Sequence, residues 1–324
     1  MKNPNQPFEM AAKVQWNPHY KRWDKVLVLY NGHAKPPAKH PVWAYLKRLR
    51  LPTRQARHNG ENLHYKAFYL QAYCPERNAL SEYKPMFINF NQHSVGDYSE
   101  YAFRNDWFCP QWQMGRQQVK IQQGGRTPHG KALHITLPKG VAGCGQKKCL
   151  NWKPKLGGKF HALEYSYWVK FADDFDFVRG GKLPGIGNNH AATGGHRATG
   201  NNGWSIRVMW NHEGKLGQYV YYPDQGRRYG DFFSWDAPAI RKGQWYQIKT
   251  QVQLNHAGKR DGSIKTWLNG RLVLNKLDLR FQNADNLPIE RLLFSVFYGG
   301  NDHTWAPKRD NYLWIDDWVI RPLR

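Results

Sequence analysis

Acidic residues are scarce in this sequence. Asp and Glu number 24 against 48 Lys and Arg, a formal net charge of +24 over 324 residues. Such an excess favours a polyanionic partner: nucleic acid, an anionic membrane surface or an acidic polysaccharide. Long apolar runs are missing too. The longest, such as Val26 to Tyr30, are strand-length, well short of the ~20 residues of a membrane-crossing helix. A soluble protein with no membrane partner is therefore expected. The opening MKNPNQPFEM lacks the apolar core of a leader peptide. No internal repeat appears, which argues against a propeller.

Several catalytic motifs are absent as well. There is no GxSxG elbow, HExxH pair or P-loop. A retaining glycosidase on a β-sandwich needs two carboxylates about 5 Å apart, commonly set by a Glu-x-Asp-x-x-Glu strand, and none occurs. Asp316 and Asp317 in YLWIDDWVI do not replace it, because neighbours on a strand point to opposite faces. Their expected role is structural: one carboxylate bonding a loop, or a bound calcium. The chain thus argues against hydrolysis by a carboxylate pair.

Cysteines number four, Cys74, Cys109, Cys144 and Cys149. The Cys-x4-Cys spacing of the last two is off the zinc pattern. Buried thiols are one reading. Disulfides 144–149 and 74–109 are the preferred one, and they go with an exported, secreted or periplasmic protein.

Aromatic residues, by contrast, are abundant, with 15 Trp and 18 Tyr. Interleaved with cations they suit single-stranded nucleic acid. They suit uronic-acid sugars equally, since a pyranose lays its C–H face on an indole while cations hold its carboxylate.

Along the chain, residues 1–65 read as a basic, aromatic-containing extension and 66–324 as the main domain. The first 60 residues hold twelve Lys/Arg and only Glu9 and Asp24 as acids, with a possible short helix from Pro41 to Leu51. This extension is either an arm that grips a polyanion or a solvated segment packing a few aromatics on the main domain. From about residue 85 short strands alternate with Gly, Asn, Asp and Pro clusters. Strands are expected at 118–122, 132–137, 161–171, 246–254, 264–268, 271–274, 292–298 and 312–320. Asn269-Gly270 marks a tight hairpin. The pattern indicates an all-β protein, an antiparallel β-sandwich of the jelly-roll type.

The stretch WSIRVMWNHEGKLGQYVYYP (204–223) reads as a hairpin. Trp204, Ile206, Val208 and Trp210 form its core face, leaving Ser205, Arg207 and Met209 on the other side. Tyr219 and Tyr221 then share a face. Upstream, GGKLPG (180–185) places Lys182 after a strand and ahead of a long polar loop, 187–203, which carries His190, His196 and Arg197. Loops of this length in compact domains are often functional.

Together GGKLPG, WSIRVMW, GQYVYYP, FYGGNDHTWAP and YLWIDDW resemble the alginate and glucuronan lyases of polysaccharide lyase family 14, with part of the pattern similar to family 20 glucuronan lyases. The resemblance spans roughly 100–322. It implies a jelly roll that cleaves a polyuronate by β-elimination, giving 4,5-unsaturated uronate ends, with no catalytic metal or other cofactor. It also implies that Lys182, Ser205, Arg207, Tyr219 and Tyr221 form the catalytic set.

Elimination removes the proton at C5 of a uronate and expels the O4-linked sugar. Neutralising the carboxylate stabilises the enolate-like state, a task suited to the planar fork of Arg207, with Lys182 assisting or acting as base. One of Tyr219 and Tyr221 is expected to serve as base and also as acid, with nearby cations pulling its pKa down, and Ser205 to orient a partner. His190, His196 and Arg197 are candidates for substrate binding. Trp210, Tyr298 and Trp305 are candidates to stack sugars, the alternative for each being a place in the core. A monomer is expected, with an acidic polysaccharide rather than nucleic acid as partner. The rival readings are a non-catalytic jelly-roll module that binds acidic polysaccharide and a nucleic-acid-binding protein lacking any recognised motif.

Overall fold

The structure, a computed structural model, describes residues 11–17, 22–29, 53–58, 61–68 and 85–323, apart from 100–101, 104–105, 108–109, 111–112, 128, 145–148 and 301. The chain divides into two compact units, Met1–Pro75 and Glu76–Arg324.

In the first unit, β1 (Ala11–Asn17), β2 (Arg22–Leu29), β3 (Thr53–His58) and β4 (Glu61–Phe68) form an antiparallel sheet in the order β1-β2-β4-β3. The sequence reading placed no strands before residue 85. The alternation is nonetheless present, Ala12, Val14 and Trp16 against Lys13 and Gln15, and is easily read over in so basic a stretch. The helix expected at 41–51 lies outside the described residues.

The second unit runs through β5 (Met86–Ile88), β6 (Gly96–Asp97), β7 (Gln113–Met114), β8 (Val119–Gln123), β9 (Lys131–Leu137), β10 (Leu150–Trp152), β11 (Lys155–Phe160), β12 (Ala162–Phe171) and β13 (Gly180–Gly187). It continues with β14 (Ser205–Asn211), β15 (Leu216–Tyr221), β16 (Asp231–Ser234), β17 (Trp245–Gln253), β18 (Gly262–Leu268), β19 (Arg271–Leu279), β20 (Ile289–Tyr298) and β21 (Asn311–Pro322). They build two antiparallel sheets. One has the order β16-β15-β14-β13-β20-β10-β7, with β11 also on β20. The other runs β19-β18-β17-β12-β21-β9-β8-β6, with β5 also on β21. This is the antiparallel sandwich expected from the strand pattern.

The period-two pattern explains the core. Leu163, Tyr165, Tyr167, Val169 and Phe171 on β12 are buried, and so are Trp204, Ile206, Val208 and Trp210 around β14. On the inner faces Trp152 stacks on Phe294 at 4.3 Å within one sheet and Tyr167 on Trp318 at 4.4 Å within the other, and Phe294 meets Trp318 across the layers at 6.0 Å. Such pairs add ~0.5–1.5 kcal/mol each beyond the area they bury. A polar bolt joins the sheets as well: the Gln218 amide on β15 donates to Thr250 at 3.0 Å and Thr266 at 2.9 Å. Gln218 is fully buried, so its neighbours Tyr219 and Gly217 face the opposite side of β15. At the β18–β19 hairpin Asn269 and Gly270 both have positive φ, 49° and 83°, the geometry that a two-residue type I′ turn needs.

Gly180 to Gly185 is itself part of β13 rather than a segment after a strand. Its glycines are demanded by close approach. A Cβ on Gly181 would lie 2.0 Å from the Trp210 ring, and one on Gly185 2.0 Å from the Ile206 carbonyl. Pro184 falls where the register shifts between Leu183 and Gly185, the bulge position a strand proline tolerates.

Candidate active site

Strand pairing assembles the site. Antiparallel register sets Arg207 opposite Tyr219, Ser205 opposite Tyr221, and Lys182 opposite Met209. Because the alternate residues of β14 are buried between the sheets, this set lies on the sandwich's other face. There a cleft of about 930 Å³ is lined by Lys182, Arg207, Met209, Tyr219 and Tyr221 together with Lys153, Trp305 and others.

The distances are short. The Lys182 amine donates to Met209 Sδ at 3.1 Å and lies 3.9 Å from the centre of the Tyr219 ring. The Arg207 guanidinium is 6.0 Å from the same centre. Tyr219 and Tyr221 pack edge to face at 5.5 Å, with their hydroxyls 3.4 Å apart. Burial pushes the Lys182 amine well below the ordinary lysine range, and the Arg207 charge adds to this. Burial also lowers the Arg207 guanidinium, opposed by Tyr221 and Tyr219. Among the described residues no carboxylate shifts either group, and Arg207 Nε is buried with no hydrogen-bond partner. A buried donor left in this state is costly.

Tyr219 departs from expectation. Its pKa is raised, first by burial and then by its hydrogen bond to Tyr221, while Arg207 only partly offsets this. Desolvation outweighs the neighbouring cation, so the phenol is held protonated.

Ser205 is fully buried and does not line the cleft. Its hydroxyl donates to the Ala192 carbonyl at 2.6 Å, and Gly195 N–H donates to the Tyr221 hydroxyl at 3.0 Å. These two bonds fasten the 188–203 loop over its strands. Only Thr193 and Gly194 of that loop reach the cleft. His190, His196 and Arg197 are exposed and outside it, Arg197 donating to the Gln225 carbonyl at 2.7 Å. Trp210 and Tyr298 are core residues, 0% and 1% exposed. Trp210 Nε1 donates to the Phe177 carbonyl, and the Tyr298 hydroxyl donates to that of Asp176. Neither can stack a sugar. Trp305 does line the cleft, with the Arg179 guanidinium 4.9 Å over its ring.

Other lining residues escaped the sequence reading. Lys153 follows β10, its pKa lowered by burial and by Arg207 and Arg291. Tyr229 and Phe232 are exposed aromatics in the cleft wall, and Phe232 sits across from Tyr219 on β16. Asn151 and Ser295 bond to each other at 3.1 Å. No local pattern marks Lys153; its place depends on the pairing of β10 with β20.

Cys144 and Cys149 form the expected disulfide, with Cα atoms 4.9 Å apart, and Cys144 lines the cleft. Cys74 and Cys109 lie outside the described residues. Asp316 and Asp317 do converge on one partner: Arg126 N–H donates to Asp316 at 3.1 Å and Arg126 Nε to Asp317 at 2.8 Å. A bulge opposite Tyr167, with Asp317 at φ 47°, breaks the alternation that would have separated them. The pair anchors a loop. Among the described residues, no group of three or more His, Cys, Asp or Glu side chains could hold a metal ion, and no helix is long and apolar enough to cross a membrane.

Solved structures carry the same fold. The alginate lyase Aly36B superposes with a TM-score of 0.66 at 26% identity, over 76% of this chain and 99% of that one. A variant of it in complex with alginate trisaccharide gives 0.67 at 26%, over 76% and 100%. The marine PL-14 alginate lyase from Aplysia kurodai gives 0.63 at 22%, over 73% and 98%, a likeness of fold. No curated protein sequence matches the chain. The profile described as polysaccharide lyase 14 matches residues 126–318. With more than half of its length matched, and with this sandwich and cleft, the chain belongs to polysaccharide lyase family 14.

Proposed function

We propose that the cleft cleaves a polyuronate, with alginate the first candidate, by β-elimination. One observation carries this reading: a buried lysine and a buried arginine share a face with two paired phenols, and among the described residues no carboxylate offsets the Arg207 charge. Asp231, which also lines the cleft, accepts from the Tyr222 hydroxyl at 2.9 Å, and a uronate supplies the anion that Arg207 lacks. Aly36B variants bind alginate tri- and tetrasaccharides, which favours alginate over other polyuronates.

In this proposal Arg207 pairs with the uronate carboxylate through its planar fork, filling the donor that is unpartnered in the cleft. Withdrawing charge from the carboxylate makes the C5 proton removable. Lys182, whose amine burial makes easier to deprotonate, takes that proton, while Tyr219, held protonated, delivers one to O4 as the C4–O4 bond breaks and the C4=C5 bond forms. Environments that push two titratable groups in opposite directions are what an acid–base pair requires. Tyr221 and Ser205 position the loop. Phe232, Tyr229 and Trp305 offer surfaces for neighbouring sugars. A secreted or periplasmic location belongs to the same proposal, since the Cys144–Cys149 disulfide goes with an oxidising compartment.

The test is a panel of alginate, its mannuronate-rich and guluronate-rich blocks, and glucuronan, followed by ultraviolet absorbance of the unsaturated product. Alginate should give product, and glucuronan little. Saturable binding with no unsaturated ends on any polymer would leave a binding module and refute the lyase reading.

A further inference from the structure

The cleft does not account for the sheet on the other side of the sandwich. Across five adjacent strands of that sheet, register places Lys120 (β8), His134 (β9), Trp314 (β21), Lys170 (β12) and Trp245 (β17) in one row. Each of their flanking residues that is fully buried, such as Leu133, Ile135, Val169 and Ile315, points into the core, so the row lies on the outer face. With neighbouring strands ~4.8 Å apart, it extends roughly 19 Å, a length that suits several sugar rings.

The row's chemistry is specific. The Lys170 ammonium sits 4.6 Å from the Trp314 ring and 5.2 Å from that of Trp245. Nearby, Lys249 lies 4.5 Å from Trp267, and Arg126 lies 5.0 Å from Trp168. Trp168, Trp245, Trp267 and Trp314 all retain exposed surface. An antiparallel sheet with one face in water normally carries polar side chains there, and four tryptophans each beside a cation depart from that. The row itself contains no carboxylate, so Lys120 and Lys170 present positive charge that no residue of the row offsets.

We propose that this face is a second, non-catalytic site for the acidic polysaccharide, in which the indoles take the sugar faces and Lys170, Lys120 and Lys249 take the carboxylates. The proposal rests on the polyuronate reading of the cleft for the identity of the polymer. A site on the opposite sheet holds a long chain while the cleft cuts it, so it acts on polymer and not on short fragments.

The experiment uses the full chain carrying Lys182→Ala, so that the polymer is not cut, and measures its affinity for long alginate by titration calorimetry. Trp314→Ala and the milder Lys170→Gln should each weaken polymer binding about 3- to 5-fold. Placed in the otherwise unaltered enzyme, both should leave kcat/KM on a short alginate oligosaccharide unchanged. Unchanged polymer affinity in both folded variants overturns the proposal, as does a parallel loss on the short oligosaccharide. Single-stranded DNA at matched salt is the third arm. If it binds as tightly as alginate and weakens by the same factor, the face is a general polyanion surface and the assignment is wrong. Failure of the lyase reading is seen separately, as no unsaturated product from the unaltered enzyme on any polyuronate.

Discussion

Removing one hydroxyl from each tyrosine separates chemistry from loop positioning. Tyr219→Phe keeps the ring beneath the Lys182 amine, 3.9 Å away, and deletes only the group proposed to protonate O4. Its approach to the Tyr221 hydroxyl is 3.4 Å, too long for a strong O–H···O bond, so the stability cost should stay below about 1 kcal/mol. A positioned acid contributes roughly 10²–10⁴-fold in rate, which is about 2.7–5.5 kcal/mol of barrier. Tyr221→Phe removes instead the acceptor of Gly195 N–H. Leaving that donor unsatisfied costs about 1–3 kcal/mol, and the 188–203 loop relieves it by opening. Initial rates on alginate should therefore show Tyr219→Phe with kcat down at least ~100-fold and KM nearly constant. Tyr221→Phe should show mainly a raised KM. A Tyr219→Phe enzyme within about tenfold of normal kcat would refute the assignment of Tyr219 as the acid.

Two further outcomes follow from the burial of the site. If the neutral Lys182 amine is the base, kcat/KM rises with pH through its lowered pKa and stays high until Tyr219, with its raised pKa, ionises. Lys182→Arg, permanently charged, should lose the rising limb together with most activity. Stability responds with the same sign: between the lowered folded pKa and the ordinary 10.5, the unfolded chain binds the extra proton, so stability increases with pH. Lys182→Met should flatten that increase in denaturant titrations. Separately, Trp210→Ala should destabilise the fold by about 3–5 kcal/mol, whereas Trp305→Ala should leave the melting temperature nearly unchanged and raise KM. Equal effects in both assays would contradict the placement of Trp210 in the core and Trp305 in the cleft.

Period-two alternation is a local property, and wherever one face of a strand is buried the sequence states it. The strands around 162–171, 205–221, 245–253 and 289–298, the Asn269-Gly270 turn and the buried face of Trp204 to Trp210 were legible for that reason. The order of Lys182, Ser205, Arg207, Tyr219 and Tyr221 along the chain was legible too. What each does was not. Whether an aromatic is core or cleft depends on which sheet covers it, so Tyr298 was indistinguishable from Trp305 until the layers closed, although alternation had already set Trp210 on the buried face. A cation near a phenol reads as a depressed pKa, but burial, a tertiary quantity, reverses the sign at Tyr219. Loop histidines look available in sequence. The bonds from Ser205 to Ala192 and from Gly195 to Tyr221 instead bring Thr193 and Gly194 to the cleft, while His190 and His196 lie outside it. Asp316 and Asp317 meet on Arg126 only because a bulge breaks the alternation. Sequence set which residues share a strand face; the pairing of strands far apart in the chain decided which faces meet, how dry they are and where the charges lie.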